Sequence, residues 1–170
     1  KLTTWKYPKV FIPELERICA DCGVAVVVVP APKGCRASGA TKFLSNNKAM
    51  IALSLRYRTD DQFWFTFFHE AGHLILHGTD ALFLEDGADV TYVEEEEANQ
   101  FAEKIIVPES RSSELSTLST RSKAVIKYAV QIGVAPGLIV GQLQHKGRIT
   151  FRQLNFLKRR YKWDSFLERS

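Results

Sequence analysis

The spacing of apolar and polar residues predicts a mixture of helix and strands in the first third of the chain. Residues 13–22 have a helical pattern, with a proline in the first turn and a glycine after the end. Residues 24–29 are an unbroken run of valine and alanine, which predicts a buried strand. Two apolar runs, 40–44 and 49–55, flank a Ser-Asn-Asn-Lys sequence and predict a β-hairpin, because asparagine tolerates the left-handed conformation of a tight turn.

Helical spacing dominates the rest of the chain. The predicted helices cover 60–77, 93–106, 121–132, 136–144 and 151–161. Asp60 or Asp61 is expected to cap the first of them, and Gly78 to end it. Residues 82–92 predict a loop with a short strand, and the serine- and threonine-rich stretch 110–120 predicts an exposed connection.

This order of elements predicts an α+β fold in which a small β-sheet packs on helices. We expect a first domain over 1–109 and a C-terminal helical region over 110–170 packed on it. The 170 residues are 45% hydrophobic and 25% charged, which is ordinary for a globular protein. The net charge of +4 is too small to argue for nucleic acid. The longest apolar run, 24–29, is too short to span a bilayer, so no membrane partner is expected.

The cysteines give little sign of a special role. Cys19, Cys22 and Cys35 are too few, and odd in number, for the disulfide framework of a small secreted protein. Cys19 and Cys22 form an isolated C-x-x-C, without the second pair that a metal knuckle would need. We therefore expect packing roles, reduced thiols and a cytoplasmic location.

The predicted helix 60–77 carries the sequence HEAGH at positions 69–73. Residues four apart project from one face of a helix, so His69 and His73 can both reach one zinc ion. Glu70 lies beside that pair, where it can take a proton from a zinc-activated water and pass it to a leaving amine. The surrounding turns are strongly apolar, and two histidines and a glutamate buried there would be costly without a partner. Zinc is a partner that explains all three.

A catalytic zinc site needs a third protein ligand and an open position. His77 lies one turn further along the same helix, and three histidines in one row cannot easily surround a tetrahedral ion. The longer histidine-only signature would need a histidine where Thr79 stands. We therefore expect a hydrogen-bonding or capping role for His77 and a carboxylate from another helix as the third ligand.

The acidic run 94–97 supplies the candidate carboxylates. At least two of the four are expected to be solvated residues of a first helical turn, where the helix dipole favours negative charge. Small and apolar residues mark the inward face of this helix: Ala98, Phe101, Ala102 and Ile105. Glu95 shares the face of the two alanines, whose small size would let two helices approach closely. Glu94 and Glu97 are the alternatives, and Asn99 could bond a ligand histidine from the outside.

The two segments FTFFHEAGHLILHG and EEEANQFAEKIIVP together resemble the ImmA/IrrE family of bacterial metallopeptidases. The resemblance is specific because both segments occur in order and at a plausible distance. It implies a zincin-like metallopeptidase core, with His69, His73 and Glu95 as Zn²⁺ ligands and Glu70 as the catalytic base. Members of the family typically cleave a helix-turn-helix repressor, often encoded beside them, and so regulate stress or mobile-element genes.

The C-terminal third contains a second pattern. Ala129, Gly133 and Ile139 have the spacing of a helix-turn-helix. The second helix of that pair offers only Gln142 and Gln144 to read bases, with no lysine or arginine. We therefore favour a packing role, and direct DNA binding by this chain is not expected.

Two further features bear on partners. The basic cluster 158–160, with Tyr161 and Trp163, could contact phosphates but is more typical of the end of an amphipathic helix. The chain begins at Lys1 rather than at a methionine, which is compatible with a DNA-binding domain upstream.

Two hypotheses follow. The first is a zinc endopeptidase that cleaves a repressor, in which Tyr57, His77 and Tyr92 are candidates to stabilise the oxyanion. The second is a regulatory or antitoxin-type domain of a DNA-binding transcription factor, with a non-catalytic zinc site.

Overall fold

A four-stranded mixed sheet forms one layer of the molecule, with helices packed on one of its faces. The strands are β1 (Val24–Val29), β2 (Gly39–Ser45), β3 (Lys48–Ser54) and β4 (Leu82–Leu84). Their order in the sheet is β1-β3-β2-β4. β1 runs parallel to β3, whereas β2 is antiparallel to both of its neighbours. The predicted hairpin is therefore confirmed as β2 and β3, and the predicted short strand as β4.

The helices of the described residues are α1 (Pro8–Asp21), α2 (Asp60–Leu76), α3 (Tyr92–Ile106), α4 (Glu109–Thr117), α5 (Ser122–Ile132) and α6 (Pro136–His145). This structure, a computed structural model, describes residues 1–31, 34, 36–77, 82–84 and 91–162. Cys35, Gly78, Thr79 and Trp163 lie outside the described residues. The predicted α+β class is confirmed.

The core lies between the sheet and the helices α1 and α2. Val26, Ile51 and Leu53 are buried on one face of the sheet, next to aromatic residues of the two helices. Phe11 of α1 and Trp64 of α2 meet with their ring centroids 5.1 Å apart. Burial of these large side chains, at roughly 2 kcal/mol each, holds α2 against the sheet.

Two predictions in this region need correction. β1 is not a fully buried strand: it lies at the edge of the sheet, and Val27 and Val29 on its second face are exposed. An apolar run alone does not tell an edge strand from a central one. Helix α1 begins five residues earlier than predicted, because Pro8 rather than Pro13 occupies the first turn.

Asp60 and Asp61 do not cap α2. The N-cap residue is Thr59, which forms a β-bridge with Arg160 and is thereby held in an extended conformation. Both aspartates lie in the first turn instead, and both are buried. Gly137 and Gly141 of α6 approach them so closely that a Cβ at Gly137 would lie 2.3 Å from Asp60 Oδ1. The two aspartates thus mark the contact between α2 and α6.

The prediction of a helix over 151–161 is wrong. Within it lies only a short 3-10 turn, Asn155–Leu157. The chain after this turn packs against the start of α2. Lys158 Nζ lies 2.6 Å from Asp61 Oδ2, and the backbone N–H of Arg159 donates to Asp60 Oδ1 at 3.0 Å. Charge pairing with residues about 100 positions away overrides the local helical pattern here.

The exposed connection predicted over 110–120 is also corrected, because most of it is the helix α4. Leu115 anchors this helix in the core, and the hydroxyl of Tyr128 donates to the backbone oxygen of Arg111 at 2.8 Å. A single buried leucine was too weak a signal against so many serines and threonines.

Helices α5 and α6 form the predicted helix-turn-helix shape. Gly133 ends α5 in the left-handed conformation, with φ of 79°, and the two axes meet at 111°. Most residues of α6 are buried, including Leu138 and Ile139. In the described part of the chain no single helix is long and apolar enough to cross a membrane. The domain division at residue 109 stays a prediction.

The described cysteines are free thiols. Cys19 is partly buried at the end of α1, and Cys22 is exposed. Burial raises the pKa of the Cys19 thiol, and the neighbouring Cys22 raises it further. Cys19 is therefore expected to be a protonated thiol at neutral pH.

Candidate metal centre

Helix α2 places the residues of the HEAGH sequence at the centre of the fold. His69, Glu70 and His73 are all buried, in a helix whose other faces carry aromatic and aliphatic side chains. Phe65, one turn before His69, stacks on its ring with a centroid distance of 6.3 Å. Packing on several sides therefore fixes this helix, and with it the direction of the polar side chains.

Three side chains converge on one point. His69 Nε2 and His73 Nε2 are 3.1 Å apart, and the Glu95 carboxylate lies beside both, with Oε2 3.4 Å from His69 Nε2 and Oε1 3.3 Å from His73 Nε2. Donors at about 2.1 Å from a tetrahedral ion are separated by about 3.4 Å, so these distances match such an ion. In the part of the chain that the structure describes, no other trio of His, Cys, Asp or Glu meets in this way.

Glu95 reaches the pair because α3 packs closely on α2. Ala98 and Ala102 are fully buried, as predicted from their size. Gly72 is their counterpart on α2, since a Cβ there would lie only 3.2 Å from the Cα of Ala98. Ile105 was expected to face inward, but it is 47% exposed, and Ile106 is buried instead. Ile106 stands four residues after Ala102, which places it on the alanine face.

The outer nitrogens of both histidines are hydrogen-bonded. His69 Nδ1 lies 3.0 Å from Asn99 Oδ1, so the structure places Asn99 where we expected it. His73 Nδ1 lies 3.0 Å from His77 Nδ1, and His77 Nε2 lies 3.1 Å from Glu97 Oε2. Burial, together with the neighbouring His69 and His77, lowers the pKa of His73 to about 4. His73 is therefore neutral at neutral pH, as a metal ligand must be.

Each glutamate of the acidic run has a different partner. Glu95 belongs to the trio, and Glu97 bonds His77. Glu94 forms a capping box with Thr91, and the remaining member of the run accepts a hydrogen bond from Gln100 on the helix surface. Among the described residues, Glu94 and Glu96 thus form hydrogen bonds only within the α3 segment. Glu97 is not a member of the trio, but it contacts His77, which in turn contacts the trio residue His73.

The Glu70 side chain contacts the sheet at β2. It is almost completely buried, at 1% exposure. The hydroxyl of Thr41 on β2 donates to Glu70 Oε2 at 2.7 Å. Gly39 makes room for this carboxylate, because a Cβ there would lie 2.4 Å from Glu70 Oε1.

Sequence reasoning missed Thr41 and Gly39. They lie about 30 residues before Glu70, and only the pairing of β2 with the rest of the sheet brings them to it. The alternation along β2 shows that Thr41 faces inward, but not which helical residue it meets. This contact is a product of tertiary structure alone.

The three candidates to stabilise the oxyanion differ in their exposure and in their contacts. Tyr57 and Tyr92 are at the surface, with 51% and 85% exposure. His77 is in contact with His73 and Glu97, so both of its ring nitrogens are engaged. The distances of the described residues therefore favour none of the three.

Fold and site together define a metallopeptidase-type protein: an α+β core, an HExxH helix and a carboxylate supplied by a second helix. The sequence model of the IrrE N-terminal-like domain (Peptidase_M78) matches residues 24–140, which is more than half of the chain. The chain belongs to this family, and the resemblance drawn from its motifs is confirmed. A search of curated proteins gave no match.

Proposed function

We propose that this protein is a zinc-dependent endopeptidase. The observation that carries the proposal is the trio of two imidazole nitrogens and one carboxylate group, whose neighbouring nitrogen and oxygen atoms are 3.1–3.4 Å apart. Two histidines and one glutamate are a ligand set of catalytic zinc, which leaves a fourth position for water or substrate. The trio lies on the same helix as Glu70, the residue whose spacing suits a general base.

When bound, zinc would lower the pKa of a water molecule and polarise the carbonyl of the scissile bond. Glu70 would accept the proton of the attacking water on a carboxylate oxygen and deliver it to the amine that leaves. Thr41 would hold that carboxylate in place through its 2.7 Å hydrogen bond to Glu70 Oε2. Asn99 would hold the ring of His69.

The proposed substrate is a helix-turn-helix repressor. Support comes from membership of the family, together with the resemblance to enzymes that cleave such repressors. The burial of α6 supports the view that this chain does not itself read DNA, because the helix that would enter the groove packs on α2.

The experiment uses the zinc-loaded protein and, as substrate, a helix-turn-helix repressor from the same organism. The parent protein should cleave the repressor, which gel electrophoresis and mass spectrometry would detect. Glu70→Gln should keep zinc and lose cleavage, since an amide cannot take the proton. Glu96→Gln is the matched control, because it removes the same charge at an exposed position that bonds Gln100, and it should cleave like the parent. Parental cleavage by Glu70→Gln would refute the mechanism.

One observation favours a second candidate, a regulatory domain with a non-catalytic zinc site. Glu70 is almost fully buried and hydrogen-bonded to Thr41, which is also the state of a purely structural carboxylate. A parent protein that binds zinc but cleaves neither the repressor nor unfolded protein substrates would support this second function.

A further inference from the structure

The two histidines of the trio are supported in different ways. The outer nitrogen of His69 meets Asn99, a neutral amide, at 3.0 Å. The outer nitrogen of His73 meets a second imidazole, His77, which in turn meets a carboxylate, Glu97. His73 is thus the inner end of a series of three side chains that leads from the buried trio to the helix surface. We call this series the His77–Glu97 relay.

The positions of the protons in the relay follow from metal binding. A neutral histidine that binds a metal through Nε2 carries its proton on Nδ1. That proton lies between His73 Nδ1 and His77 Nδ1, so the His77 nitrogen must accept it. A neutral His77 then carries its own proton on Nε2, the atom that lies 3.1 Å from Glu97 Oε2. Every ring nitrogen is matched, and the carboxylate at the outer end is the single charge of the relay.

Glu94 and Glu96, the other glutamates of the run outside the trio, do not bond His77. Glu94 bonds Thr91 at the start of α3, and Glu96 bonds Gln100 on its surface. Glu97 forms the ion pair with His77, the C-cap residue of α2, whereas Glu94 acts on His73 and His77 through its charge. The His77 side chain is 5% exposed, whereas that of Glu97 is 54% exposed. The ring is therefore held in place, and its carboxylate partner can be changed without disturbing the core.

We propose that His77 and Glu97 are positioning residues for the ligand His73. They fix the tautomer and the orientation of its ring and make its Nε2 a stronger donor, and so they increase the affinity of the site for zinc. Partners of this kind typically contribute about 10- to 100-fold to metal affinity. The proposal rests on the zinc-binding part of the proposed function and not on peptide cleavage.

The test measures zinc affinity by competition with a chelator on the whole metal-free chain. His77→Phe keeps a ring of similar size but removes both nitrogens, and it should weaken zinc binding about 10- to 100-fold. Glu97→Ala should also weaken binding, and Glu97→Gln should recover part of the loss because its amide oxygen still accepts a hydrogen bond. Glu96→Ala is the matched control, with the same change of charge one residue away, and should bind zinc like the parent.

A second readout separates positioning from general damage to the fold. Circular dichroism of the metal-free variants should match the parent, and the Co²⁺ absorption spectrum should show the same ligand set with altered band positions. If His77→Phe does not fold, the exposed Glu97 variants decide the question. Parental zinc affinity in Glu97→Ala, or equal losses in Glu97→Ala and Glu96→Ala, would overturn the proposal. A chain that follows the expected affinities but cleaves nothing would leave the relay standing and refute the peptidase function.

Discussion

Replacing Gly39 with alanine is expected to change the position of Glu70 without changing the binding of metal. Gly39 is the first residue of β2, and the added Cβ would lie 2.4 Å from Glu70 Oε1 and 2.7 Å from Thr66 Cγ2. Heavy atoms in contact settle at about 3.5–4.0 Å. Both side chains, or the backbone of β2, must therefore shift by about 1 Å, and the shift changes the position of the Glu70 carboxylate.

This overpacking is expected to cost about 1–3 kcal/mol of unfolding free energy. The larger effect is expected on activity, because a displacement of about 1 Å in a catalytic group can cost about 100-fold in rate. Zinc affinity should not change, because the atoms nearest to the added methyl group belong to Glu70 and Thr66 and not to His69, His73 or Glu95.

Urea unfolding, chelator competition and repressor cleavage measure these quantities in turn. Ala40→Gly is the matched control: it changes the next residue of the same strand, which faces the other side of the sheet. It should lose about 0.5–1 kcal/mol of stability through backbone entropy and keep its activity. The reasoning is refuted if Gly39→Ala cleaves at the parental rate, or if it loses zinc in proportion to activity.

Two predictions concern the contact between α2 and the C-terminal segment. Burial, together with the neighbouring Asp61 carboxylate, raises the pKa of Asp60 to about 7, so the folded state holds a proton that the unfolded chain releases at about 4. The contribution of this group therefore favours folding below pH 4 and falls between pH 4 and 7, by at most about 1.4 kcal/mol per pH unit. In urea titrations across this range, Asp60→Asn should gain stability relative to the parent as the pH rises; a constant difference would contradict the assignment. Lys158→Met leaves the Asp61 carboxylate buried without the ammonium group now 2.6 Å away, and should lose about 3–5 kcal/mol at pH 7. Adding Asp61→Asn should recover part of this loss, and a single variant as stable as the parent would show that the pair is not coupled.

Much of the metal centre could be predicted because its geometry is local. The i, i+4 spacing of His69 and His73 fixes their common face, and the alanines of α3 indicate which side of that helix approaches α2. Glu95 and Asn99 follow from that face. The acidic run by itself could not show the separate role of Glu97, because its partner His77 belongs to another helix.

The fold could be predicted where the local sequence of an element determines its structure. The prediction failed where contacts with distant residues determine it. Hydrophobic spacing and turn residues located the hairpin and the long helices. The 3-10 turn at Asn155–Leu157 could not be foreseen, because Lys158 is held by Asp61 from the far end of the sequence. Thr41 reaches Glu70 only through the sheet, and no local pattern carries that information.

The central claim is tested most directly by diffraction data collected at the zinc absorption edge from crystals grown with zinc. We predict a single strong zinc peak, at about 2.0–2.2 Å from His69 Nε2, His73 Nε2 and a Glu95 carboxylate oxygen, with a fourth position taken by water. A peak at the cysteines, or coordination by Glu94 or Glu97 in place of Glu95, would contradict the account.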